Sequence, residues 1–94
     1  MTLSPTLAQR FATYASRLRY EDIPPAAIHE AKRRLIDSFA TAIGAMPSDA
    51  FAVARECALR VRSTPGATML GGGQSSVEWA TFVNGLLIRY LDFN

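Results

Sequence analysis

Apolar residues recur at helical spacing in four blocks, separated by stretches rich in proline, glycine and serine. In the first block Leu7, Phe11, Tyr14 and Leu18 follow at intervals of four, three and four, which puts them on one stripe of a helix. That helix is predicted from about Pro5 to Leu18, with Ser4 as N-cap and Pro5 at the first helical position, where a missing N–H is harmless. Pro24-Pro25 then breaks the chain and opens a second helix, to about Ala45. Ile28, Ala31, Leu35, Phe39, Ala42 and Met46 share one face of it. Ile36, Ala40 and Ile43 widen that face, the pattern of a central helix with neighbours on more than one side. Gly44 and Pro47 end it.

A third helix is predicted from about Asp49 to Arg62, with Phe51, Ala54, Ala58 and Val61 inward and Arg55, Glu56, Arg60 and Arg62 outward. Pro65-Gly66 marks a turn, Ala67 to Leu70 reads as a short extended piece, and Gly71 to Gln74 as a loop. Ser75-Ser76-Val77-Glu78 fits a capping box, with Ser75 as cap and Glu78 three positions on. The fourth helix that follows is apolar on most sides until Asp92, and such a helix is normally covered by other structure. The expected fold class is all-α: one domain at most, a fragment of a helical bundle with about four helices.

Composition sharpens this picture in two respects. Charged residues make up 19% of the 94, below the usual quarter, which implies surface meant for a partner or for further chain. The net charge of +2, with no basic interleaving around Tyr14, Tyr20 or Trp79, argues against a nucleic-acid partner. No segment reaches the length of a membrane span. Residues Met1 to Arg10 lack the basic start and apolar centre of a secretory signal.

Candidate chemistry is sparse. Cys57 is the single cysteine, which rules out an internal disulfide, fits a reducing compartment and reads as a small buried apolar residue rather than a nucleophile. His29 is the single histidine, so a two-histidine metal site cannot form; it reads as a solvated or capping group. No metal and no cofactor is expected. The run Gly71-Gly72-Gly73-Gln74-Ser75-Ser76 leads into a helix N-terminus, where backbone N–H groups can cradle an anion, but no Gly-Lys-Ser/Thr follows and a plain loop is the better reading. Lys32-Arg33-Arg34 reads as a solvated face, with Glu30 and Asp37 at pairing distance along the helix. Its second reading is attraction of anionic substrates toward a nearby cleft.

Asp92 is the leading site candidate. Thr81, Gly85, Ile88 and Asp92 fall along one row of the fourth helix, with Asn84 beside it, a small or polar strip on an otherwise greasy surface. Gly85 costs about 1 kcal/mol against alanine inside a helix, which close approach by another backbone or a ligand explains. Partial burial and the negative end of the helix dipole both disfavour the charged carboxylate at Asp92 and suit it to proton transfer. The competing reading is an ordinary surface pair with Arg89, three residues earlier.

Four stretches carry a resemblance. Ala80-Thr81-Phe82-Val83-Asn84-Gly85, Arg89-Tyr90-Leu91-Asp92-Phe93-Asn94, Leu18-Arg19-Tyr20-Glu21-Asp22-Ile23-Pro24-Pro25 and Ala31-Lys32-Arg33-Arg34-Leu35-Ile36-Asp37-Ser38-Phe39 together resemble the MmgE/PrpD family. That family includes 2-methylcitrate dehydratases, cis-aconitate decarboxylases and iminodisuccinate epimerases. The resemblance implies that residues 1–94 are the N-terminal part of a helical domain in enzymes several hundred residues long. The arginines Arg10, Arg17 and Arg19, with no acid in the first twenty residues, also suit a mitochondrial presequence. Because the resemblance begins inside that stretch, it is read as the first structural helix.

The family's L-D-F-[DN] motif places its aspartate in the active-site cleft, which implies a catalytic role for Asp92 and, as a polar neighbour, a substrate-binding role for Asn94. The family's catalytic histidines come from motifs further along, so His29 inherits nothing from them. The L-D-F-N wording leans toward dehydration of 2-methylcitrate, a step of propionate metabolism, without an iron–sulfur cluster. The resemblance further implies a small di- or tricarboxylate substrate, a cytoplasmic setting, no membrane partner and a homo-oligomer, commonly a dimer. The isolated 94 residues are not expected to catalyse the reaction, which an assay with 2-methylcitrate and cis-aconitate tests. Decarboxylation and epimerisation remain open within the family. Outside it, the alternative is a stand-alone helical module or truncated-gene relic that self-associates through the fourth helix.

Overall fold

The computed structural model describes residues 3–91. These fold as two compact units, residues 3–32 and 33–91, with the boundary inside one helix. The elements run α1 (Leu7–Arg17), a 3₁₀ turn (Tyr20–Asp22), α2 (Pro25–Ala45), α3 (Asp49–Leu59), β1 (Ala67–Thr68), β2 (Gln74–Ser75) and α4 (Val77–Tyr90). The fold is mostly helical, as the periodicity predicts.

In the first unit, α1 begins two residues later than expected. Thr6, not Ser4, is the N-cap. Its hydroxyl accepts the Gln9 N–H at 3.1 Å, and the Gln9 side chain accepts the Thr6 N–H at 2.8 Å. This reciprocal pair satisfies two backbone donors at once, which Ser4 cannot match because Leu7, three positions on, has no side-chain acceptor. Leu7, Phe11 and Tyr14 do lie on one stripe, with Leu18 as C-cap, and all four are exposed. The Asp22 carboxylate accepts the Arg19 N–H at 3.1 Å and holds the 3₁₀ turn that follows.

The second unit holds the core. Ala42 and Ala45 of α2, Phe51, Ala54 and Ala58 of α3, Met69, and Ala80, Val83 and Leu87 of α4 are buried together. Five of these nine are alanines, so the helices approach closely and burial is shallow. The expectation that α2 is central is not met among the described residues. Only its last turns are covered, while Leu35, Ile36, Phe39 and Ile43 remain 47–67% exposed, because no described element of this unit lies on that face.

Between α3 and α4 the chain makes a hairpin that periodicity does not reveal. β1 and β2 pair antiparallel, Ala67 opposite Ser75 and Thr68 opposite Gln74. The extended piece at Ala67 was expected; its return partner at Gln74–Ser75 was read as loop and helix cap. Gly71, Gly72 and Gly73 have φ of 91°, 109° and 92°, a region that side chains disfavour. The turn is closed by Met69 N–H to Gly73 O (2.9 Å) and Gly72 N–H to Met69 O (3.1 Å).

Ser75 explains two further departures. Its buried hydroxyl donates to Ala58 O at 2.7 Å and lies 3.2 Å from Val61 O. These are carbonyls at the C-terminal end of α3, which stops at Leu59 instead of Arg62. With Ser75 so engaged, Ser76 becomes the cap of α4 and accepts the Trp79 N–H at 3.2 Å; Glu78 sits in the first turn and the predicted Ser75–Glu78 box does not form. Ser75→Ala is expected to lower unfolding free energy by about 1–3 kcal/mol, since buried carbonyls lose their donor. Urea denaturation of the variant against the parent measures it.

Candidate functional site

Asp92 and Asn94 lie outside the described residues, so the site is built from what leads up to them. Leu87 anchors α4 in the core. One residue on, Ile88 O comes 3.2 Å from the Thr41 hydroxyl of α2, which also donates to Ser38 O at 2.9 Å. Gly44 lets the two helices close at this end: a Cβ there would fall 2.9 Å from Leu91 Cδ1. The last turn of α4 therefore lies beside α2 directly before the L-D-F-N motif.

The polar strip expected on α4 does not act as one surface. Thr81 donates its hydroxyl to Val77 O of its own helix at 2.7 Å. Asn84 turns to the hairpin, where Oδ1 accepts the Leu70 N–H at 2.8 Å and Nδ2 donates to Thr68 O at 3.1 Å. It is a structural clasp, and the sequence carries no signal for it. Gly85 meets no atom within 4 Å of where a Cβ would stand, so no described residue accounts for the glycine.

The structure instead joins α2 and the end of α4 in a polar cleft of about 730 Å³, lined by Arg34, Asp37, Ser38, Thr41, Ile88 and Arg89 among others. Arg34, Ser38 and Thr41 are spaced four and three apart and share one face of α2. Arg34 belongs to the basic run; it lines this cleft and also has a partner within the protein. The meeting of Arg34 with Arg89, 55 positions apart, is a tertiary fact that no local pattern announces.

The remaining candidates fall elsewhere. His29 is exposed on α2. Cys57 is half-buried in an apolar groove between α3 and α4, with Val53, Trp79 and Phe82. The glycine run serves the hairpin, and Arg55 Nη2 donates to Gly72 O at 3.2 Å. Among the described residues no three His, Cys, Asp or Glu side chains gather as a metal site, and no helix is long and apolar enough to cross a membrane.

No curated protein and no solved structure shows significant similarity to the chain. Residues 9–94 match the MmgE/PrpD N-terminal domain. This span takes in α1 from its third residue, the other three helices, the hairpin and the polar cleft. The match runs over nearly the whole 94 residues, and the chain accordingly belongs to the MmgE/PrpD family, of which it carries the N-terminal domain.

Proposed function

We propose that this domain forms one wall of the active site of a lyase that dehydrates 2-methylcitrate to 2-methylaconitate. Family membership is the observation that carries the reading; the L-D-F-N wording at Leu91 to Asn94 supports this branch of the family. The reaction breaks a C–H bond next to a carboxylate and a C–O bond on the neighbouring carbon. The proton passes to a base, and the hydroxyl leaves as water after protonation by an acid. The substrate's carboxylates need cationic groups to hold them. Asp92 serves as the orienting or proton-sharing acid and Asn94 as its polar neighbour. Neither role requires a cofactor.

The test is to assay the intact protein with 2-methylcitrate, cis-aconitate and iminodisuccinate in parallel. Loss of water from the first, with little reaction of the others, is the expected result. Release of carbon dioxide from cis-aconitate, or epimerisation of iminodisuccinate, would move the protein to another branch. Inertness toward all three would end the lyase reading.

A second reading has its own observation. Val77, Phe82 and Tyr90 of α4 are 51–65% exposed, apolar side chains that a second copy could cover. On this reading two copies associate through α4. Sedimentation velocity across a hundredfold concentration range is expected to show a dimer that Phe82→Glu weakens. A monomer at every concentration removes this reading.

A further inference from the structure

We infer that Arg34 and Arg89 together form a carboxylate clamp, in which the cleft between α2 and the end of α4 receives two carboxylates of a small polycarboxylate. The inference rests on the functional reading above and adds to it the residues that bind. Two observations carry it. Arg34 and Arg89 line one cleft of about 730 Å³, large enough for a six- or seven-carbon tricarboxylate. The cleft lies where Thr41 and Gly44 meet the last turn of α4, directly before Asp92. Asp37 lines the same wall and the C-terminal end of α4 presents the negative pole of its dipole, so the two arginines must outweigh both to hold an anion.

Both arginines already have partners within the protein. This does not disable them, because a guanidinium carries five N–H donors in a planar fork and binds a carboxylate through two. Lysine matches the charge but not the fork. Ser38 and Thr41 also line the cleft. Thr41 is committed to backbone carbonyls, which leaves Ser38 Oγ as the neutral polar contact for a third group.

The experiment is calorimetric titration of the intact protein with citrate and with succinate, alongside Arg34→Gln, Arg89→Gln, Arg89→Lys and a control, Arg60→Gln. Arg60 is the C-cap of α3, paired with Glu56 at 3.3 Å on the surface. The clamp predicts that Arg34→Gln and Arg89→Gln each weaken citrate binding about 10- to 100-fold, the worth of a charged hydrogen bond. Arg89→Lys should recover part of that loss, and Arg60→Gln should leave binding unchanged. Thermal unfolding of each variant separates lost binding from lost folding; Arg89→Lys, which keeps the charge, remains readable if Arg89→Gln does not fold. Citrate binding unchanged in both glutamine variants overturns the clamp and leaves the lyase reading standing. Arginine-dependent binding without turnover of any family substrate supports the clamp and overturns the lyase reading. No binding of either acid by the parent overturns the clamp, and turnover of the family substrates alone then decides the lyase reading.

Discussion

Leu87→Ala is expected to lower the unfolding free energy by about 2–5 kcal/mol, the range for truncating a buried leucine. Leu87 is fully buried and sits among Ala80, Val83 and the alanines of α2 and α3. Five of the nine residues of that cluster are alanines, and Phe51 and Met69 are its side chains long enough to shift toward the space. Phe82→Ala is the comparison: it removes a larger side chain from the same helix, but Phe82 is 56% exposed and loses much less burial. Denaturant melts of the two variants should therefore rank Leu87 well above Phe82. The reverse order would mean that the core has been misassigned.

Asp92→Asn is expected to reduce turnover of 2-methylcitrate by about 10²–10⁴-fold, the usual worth of a positioned acid or base. The amide keeps the size and one acceptor oxygen of the carboxylate but cannot exchange its proton at neutral pH. KM should change much less than kcat, since the arginines rather than the acid hold the substrate. Asp49→Asn, at the solvent-exposed first turn of α3, should keep full activity. Undiminished turnover in the Asp92 variant would take that residue out of the mechanism, and a loss confined to KM would recast it as a binding group.

The helices were legible in the sequence for reasons that also mark the limit of such reading. α2 runs from Pro25 to Ala45, where the proline pair and the glycine-proline stop place it, because both signals act through the local backbone. The caps were harder. Ser4 and Thr6, or Ser75 and Ser76, are near-equivalent candidates by type, and the choice between the serines is made by α3, whose terminal carbonyls claim Ser75. Two-residue strands are too short to show alternation, so the return strand at Gln74–Ser75 left no pattern. Of the site, the family motif pointed to Asp92 and Asn94, while the pairing of Arg34 with Arg89 in one cleft depends on helix packing. The wide apolar face of α2 was read as burial, yet periodicity reports only which residues share a side, not what stands opposite them.

The hairpin is stitched to its surroundings from three directions: Ser75 to the end of α3, Asn84 of α4 to Thr68 and Leu70, and Arg55 to Gly72. Although it has the length and glycine content of a surface loop, it cannot lift away without breaking bonds to both flanking helices. The amide protons of Met69 and Leu70 should consequently exchange with solvent on the slow timescale of the surrounding helices, and the segment opens with them as one cooperative body.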